Sequence, residues 1–329
     1  MANREHITEL ALSFYSDALL IVHPKDIGRI DDDSDNSKIA ADCHIYFIVK
    51  RPRLSFVPGS IIVGEQRTTG KFRYVRGGVA TETEFRLEGK PDADEVRISS
   101  YPHHKLLLIK NGEDVASLPA HLLSVICDDI EDPSIRDVEV AYVGMSYAEG
   151  RRSAKDRLLS HSTLQQVLAD LNNDAPDDEA LIIMAQFAPP QIMISVDGAD
   201  ESLKEEDDRD VAADFAKLEQ LMTEDVQIAL IEASLIRYFQ PPYNEKYKHR
   251  FPHPTLRILK EVYEMDFGAL SVEFNTEIIN LRVFSQARSP GFHHLASVDL
   301  HDPHTRRSFF NFINAEPGPN AEDYSGPLF

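Results

Sequence analysis

DVEVAYVGMS, residues 137–146, is rich in β-branched and aromatic residues and reads as a strand that ends in a glycine turn at Tyr142-Val143-Gly144. A second stretch, IEASLIRYFQPPYN (231–244), closes a strong helix expected from about Asp214 to Phe239 and stopped by Pro241-Pro242. On that helix the same-face neighbours of Glu232 are Ile228, Ala229, Leu235, Ile236 and Phe239. A carboxylate in such a stripe is costly if buried without a partner. Glu232 must therefore meet a cation, a metal or a donor, or lie at the rim of a cleft. A salt bridge or a stripe-edge position is the plain alternative.

Between the two stretches, Ser153 to Leu171 reads as a helix. Ser153 suits its N-cap, Asp156 the capping-box position, and Leu164, Val167, Leu168 and Leu171 its apolar stripe. Arg157 and His161 stand four apart on one face, in line with Leu164 and Leu168. An Arg there offers a donor fork matched to phosphate oxygens, and a His can move a proton near neutral pH. Taken alone, the pair equally suits a surface Arg and a satisfied His.

The order of these features carries more than any one of them. A strand ending Tyr-Val-Gly precedes Arg157 and His161, then comes Glu232 on a later helix, with Asn244 twelve residues beyond it. This set, over about residues 118–247, resembles the GIY-YIG nuclease family. The resemblance implies an α/β (α+β) fold, a small antiparallel sheet flanked by helices, and divalent-metal-dependent hydrolysis of DNA by one-step water attack. It further implies that Tyr142 lies near the attacking water or the scissile phosphate, that Arg157 steadies the phosphate, and that His161 assists or relays a proton. Glu232 would hold Mg²⁺ or Mn²⁺, and Asn244 would hydrogen-bond near the phosphate or brace the site. The family's first motif, a strand bearing Gly-Ile-Tyr, has as its counterpart HLLSVICDD (121–129), which contains neither residue. Either another group activates the water (His161, Tyr142 or Tyr147), or the domain is a degenerate binding or assembly module in a larger complex.

Composition sets the outer limits. Apolar content of 42% and charged content of 27% are those of an ordinary soluble protein. The longest apolar run, near Ala180 to Ala188, is too short to span a bilayer, and the start MANREHITEL lacks an apolar signal core. Cys43 and Cys127 are the only cysteines, which suits a cytoplasmic location and excludes a disulfide framework or a cysteine-based zinc site. A net charge of −21 repels nucleic acid at long range. The cations, however, gather near the suspected site. Four lie between Arg151 and His161 and five between Tyr243 and Lys260, whereas Asp197 to Asp214 holds nine acids against two bases. DNA is the expected partner, with a protein partner or a second copy of the chain beside it and no membrane.

The organisation expected is a β-rich domain over 1–117, the nuclease-like domain over 118–250 with an acidic insertion at 197–214, and a mixed α/β extension over 251–329. Near the end, His293, His294, His301 and His304 sit beside Asp299 and Asp302 and have the chemistry of transition-metal ligands, without a recognisable spacing. GEQRTTGKF (64–72) has the wrong length for a phosphate-binding loop and lacks a Ser or Thr after Lys71.

Overall fold

The computed structural model describes residues 8–30, 35–146, 158, 162–196, 211–248, 267–300 and 309. In chain order these form β1 (Thr8–Val22), α1 (Asp35–Asp42), β2 (Ile45–Pro52), β3 (Ser55–Phe56), β4 (Ile62–Val63), β5 (Arg67–Arg76), β6 (Val79–Glu88), β7 (Glu95–Ile98), β8 (Lys105–Lys110) and β9 (Glu113–Pro119). There follow α2 (Ala120–Ile126), β10 (Asp129–Ile130), β11 (Asp137–Met145), α3 (Ser162–Asp174), β12 (Asp178–Phe187), β13 (Gln191–Val196), α4 (Val211–Leu221) and α5 (Glu224–Phe239). The last strands are β14 (Phe267–Asn275), β15 (Arg282–Ser285), β16 (Arg288–Gly291) and β17 (His293–Asp299).

The chain is mixed α/β, but the sheet is not small. Nine strands share it in the order β16-β15-β11-β2-β12-β1-β14-β17, with β13 also on β1. The expected boundaries at 117 and 250 cut through this sheet, because β1 and β2 sit among β11, β12 and β14. β12 and β13 run antiparallel to successive halves of β1, separated by Pro189-Pro190 opposite a bulge at Ser16–Ala18. Proline has no amide to donate, so the ladder breaks where the pair falls.

The sheet nearly closes around α5. That helix touches β11 and β2 towards one end of the strand order and β14 and β17 at the other. The two terminal strands, β16 and β17, are separated by Phe292 alone. Eight residues of α5 are buried, including Ile228, Ile231, Leu235 and Phe239, which explains the apolar breadth of the stripe around Glu232. The single helix expected over 214–239 is broken at Met222-Thr223, where Thr223 occupies the N-cap of α5 in an extended conformation. Gln240 ends α5 in the left-handed region before Pro241.

His294 of β17 ties the closure. Its Nε2 donates to the carbonyl of Gly291 at 3.0 Å. Its Nδ1 therefore accepts from the Tyr238 hydroxyl, 3.4 Å away, and its ring lies edge-on to Phe239. The guanidinium of Arg288 on β16 lies 4.3 Å from the centroid of the same Tyr238 ring. Both imidazole nitrogens of His294 are thus engaged in fold closure, against the metal role considered for it; His301 and His304 lie outside the described residues.

Residues 53–136 leave the sheet between β2 and β11 and build a second core. A five-stranded sheet of β3, β4, β5, β6 and β10 and a three-stranded sheet of β7, β8 and β9 enclose it, with Phe56, Phe72, Phe85 and Leu106 at its centre. HLLSVICDD, expected as a strand, contributes helix α2 and the two-residue β10 instead. Short apolar runs do not distinguish strand from helix by period. Here Ala120 and Leu123 enter the inserted core, while Val125 reaches the central one.

Arg51 locks this excursion to the sheet. Its side chain is fully buried against Glu179, with Nε donating to Oε1 at 3.0 Å. One terminal nitrogen donates to the carbonyl of Ile135 at 3.1 Å and the other to that of His121 at 3.4 Å. Of the helix expected over 153–171, residues 162–171 belong to α3, while 153–157 and 159–161, the helix expected over 255–265 and most of the acidic stretch lie outside the described residues.

Replacing Arg51 by Ala strands the Glu179 carboxylate and two carbonyls, and should cost about 3–5 kcal/mol in urea unfolding. His294 generates a pH dependence. Burial holds its imidazole down at about 4, against 6.5 ordinarily, so between those values the unfolded chain binds a proton that the folded chain does not. Stability should therefore fall as pH drops from 6.5 towards 4, by roughly 3 kcal/mol from this group. Urea midpoints at both ends of that window should differ less for His294→Gln than for the parent.

Candidate functional site

Tyr142 lies near the end of β11 as expected, but Gly144 makes no turn: it pairs with Tyr46 inside the strand, which runs on to Met145, and a bulge decides which way the tyrosine faces. Val138 and Val140 of β11 enter the core under α5, and strict alternation would put residue 142 with them. The register with β2 slips at Ala141, however, pairing Val140 with Val49 and Tyr142 with Ile48. One extra residue turns every later side chain to the opposite face. Val143 then joins the α5 side, while Tyr142 packs in the other layer with Tyr46, Ile48 and Leu164.

Tyr46 is the residue that sequence reasoning missed. It lies on β2 directly opposite Gly144, fully buried, with its ring centroid 6.2 Å from that of Tyr142. A Cβ on Gly144 would stand 2.6 Å from the Tyr46 hydroxyl and 2.6 Å from Cε1 of Tyr142. The two rings close over a position that only glycine can occupy. Strand β2 was legible as a strand, but its adjacency to β11, across more than eighty intervening residues, was not.

Asn244 grips the same strand from the opposite edge. Its Oδ1 accepts from the amide of Val143 at 2.9 Å, and its Nδ2 donates to the carbonyl of that residue at 2.8 Å. The buried carboxamide thus replaces one residue of a neighbouring strand, continuing the edge that β15 covers only as far as Glu139. The amide of Tyr243 donates to the carbonyl of Ala141. The Tyr243 hydroxyl donates to Asp170 of α3 at 2.6 Å, and that carboxylate pushes the phenol up to about 12. The expected bracing role of Asn244 is therefore exerted on backbone.

At the mouth of the strand pair, the amide of Ser146 donates to the carbonyl of His44. His44 Nδ1 in turn donates to the carbonyl of Ser146 at 2.9 Å, and its Nε2 lies 3.3 Å from Glu224 at the start of α5. A cavity of about 270 Å³ opens here, lined by His44, Gln186, Glu224, Gln227 and Ile231 among others.

Glu232 is half-buried on α5, the helix that covers the sheet face opposite the tyrosine pair. Arg157, His161 and Tyr147 lie outside the described residues. Leu158, next to Arg157 in sequence, is buried in the layer of Tyr46 and Tyr142. The structure therefore joins Tyr142 to Asn244 through Val143, and places Glu232 on the other layer. Among the described residues there is no cluster of three side chains able to hold a metal. Mg²⁺ is commonly bound by one or two carboxylates together with substrate phosphates and water, a mode that a single half-buried Glu232 fits.

Asn244→Ala should leave the buried amide and carbonyl of Val143 unpaired and destabilise the protein by roughly 1–3 kcal/mol in urea titration. Gly144→Ala should cost a similar amount, about 1–3 kcal/mol, through overpacking against the two tyrosines, and near-ultraviolet circular dichroism should register the displaced rings.

Among the described residues no helix is long and apolar enough to cross a membrane. No protein-family model, curated protein or solved structure matches the chain.

Proposed function

We propose that the protein is a divalent-metal-dependent endonuclease of GIY-YIG type acting on DNA. The observation that carries this reading is the closure of Tyr46 and Tyr142 over Gly144, with Asn244 holding the strand between them. It supplies, on the strand beside Tyr-Val-Gly, the aromatic partner that HLLSVICDD lacks. His44-Ile45-Tyr46 stands where the resemblance calls for Gly-Ile-Tyr. The inserted core between β2 and β11 accounts for the separation of the two strands in sequence.

In this reading Tyr142, the half-buried member of the pair, directs the attacking water, and Tyr46 beneath it fixes its ring. The water oxygen bonds to phosphorus in line with the leaving oxygen, which departs with the electron pair and takes up a proton. His161 accepts the proton of the water, and the guanidinium of Arg157 spreads the charge on the non-bridging oxygens. Glu232, on the layer opposite the tyrosines, is the residue that the resemblance assigns to a divalent ion, which would supply neutralisation of the phosphate charge.

A second reading, a degenerate nuclease-like module that binds without cutting, rests on two observations. Tyr46 has no exposed surface. Six cations of the inserted core are also already matched: Lys71, Arg73, Arg86, Lys90, Arg97 and Lys110 each meet a carboxylate, which reduces the basic footprint there.

Supercoiled plasmid with Mg²⁺ or Mn²⁺ separates the two. The nuclease reading expects cutting that falls by about 10²-fold or more in Tyr142→Phe, Arg157→Ala and Glu232→Ala. Unimpaired cutting by all three variants, or an uncut plasmid with the parent under both metals, would sink it. The second reading then requires DNA binding that persists without metal.

A further inference from the structure

At the far end of β2 from the tyrosines, a cavity of about 360 Å³ opens between the inserted core, the start of β12 and helix α3. That volume is at the lower end of the range for small-molecule sites. Its polar lining is unusual for so acidic a chain. His23 follows β1, Lys25 and Arg53 stand at the rim, and His104 and His121 come from the inserted core.

The charges inside are arranged in one sense. Glu179 is neutralised from within by Arg51, leaving Asp178 as the remaining carboxylate of the lining. The guanidinium of Arg53 reaches only the carbonyl of Asp178, at 2.9 Å. The ammonium of Lys25 has no carboxylate within 4 Å among the described residues, although Asp26 is its neighbour in sequence. The rings of His23 and His121 lie with centroids 5.3 Å apart. His23 Nδ1 accepts from the amide of Lys25, while the ring nitrogens of His104 and His121 have no hydrogen-bond partner among the described residues. No three of these side chains form a metal-holding group. Imidazoles, an ammonium and a guanidinium converging on one cavity are donors looking for an acceptor.

We infer that this cavity is a binding site for a phosphate group. Lys25 and Arg53 supply fixed positive charge, and the three imidazoles supply donors. Burial first, and then the nearby Lys25, Arg51 and Arg53, hold the imidazoles uncharged in the free protein: His121 at about 3, His23 at about 4, and His104 below its ordinary value. A phosphate among them opposes that effect and favours their donor forms. Asp26 and Asp178 are the carboxylates that bear on these rings, Asp26 beside His23 and Asp178 across the lining. The site lies five residues along β2 from Tyr46, or roughly 17 Å at the rise of a strand. It does not depend on the nuclease reading, and its test requires no cleavage.

The phosphate could be carried by a mononucleotide or by the 5′ end of a nucleic acid. Full-length protein should be titrated calorimetrically with inorganic phosphate, AMP, adenosine, and one short oligonucleotide with and without a 5′-phosphate. Binding of AMP and phosphate but not adenosine is expected, at least tenfold weaker in Lys25→Ala and Arg53→Ala. Both side chains are exposed, and their folding can be checked by an unchanged melting temperature. A 5′-phosphate preference of tenfold or more assigns the site to nucleic-acid ends, and its absence alongside AMP binding assigns it to the mononucleotide. Equal binding of AMP and adenosine, no binding of either phosphate compound at millimolar concentration, or full affinity in both variants would overturn the inference.

Discussion

Arg51 is the constraint on which the architecture turns. One guanidinium, with no solvent contact, joins the end of β2 to the start of β12 through Glu179 and to the inserted core through the carbonyls of Ile135 and His121. Desolvating such a pair costs several kcal/mol per ion. That cost is offset because three hydrogen-bonding directions of the same fork are used in a rigid frame. A bidentate pair, Arg282 with Asp137, secures the re-entry of the chain at the start of β11. Long excursions from a sheet hold their orientation when both the exit and the return are pinned.

The central sheet and α5 depend on one another in a different way. An amphipathic helix normally leaves half its circumference in water. Here strands from both ends of the sheet order reach α5, and the mutual burial of Tyr238, Phe239 and His294 takes the place of a further strand pairing. The opposite face receives α1 and α3 and carries the two tyrosines. The same strands thus present apolar residues, Phe47 among them, to the helix on one side and two phenols on the other.

Much of this was written plainly in the chain, and the exceptions have physical causes. The strand at 137–146 and the helix stop before Pro241-Pro242 follow from local chemistry and lie where expected. The register of β11 was hidden, because a bulge at Ala141 leaves no mark on composition yet reverses the face on which Tyr142 lies. The partnership of Tyr46 with Gly144 was hidden because it is a contact across the inserted core, and local pattern carries no information about which distant strand becomes a neighbour. Asn244 was singled out from the sequence, but the strand it holds was not: its carboxamide completes a backbone ladder on Val143. Helix α2 escaped because an apolar run of seven residues has no period to betray it.

The chain leaves β2 at Pro52 and returns at Asp137, and the two strands lie side by side and antiparallel. In topological terms they are a hairpin whose turn has grown into a separately cored module. The entropy of closing a loop rises only slowly with its length, so such an enlargement burdens the framework little. Loops of the module away from the Arg51 contacts can therefore change in length while the tyrosine pair and its supporting strands keep their geometry.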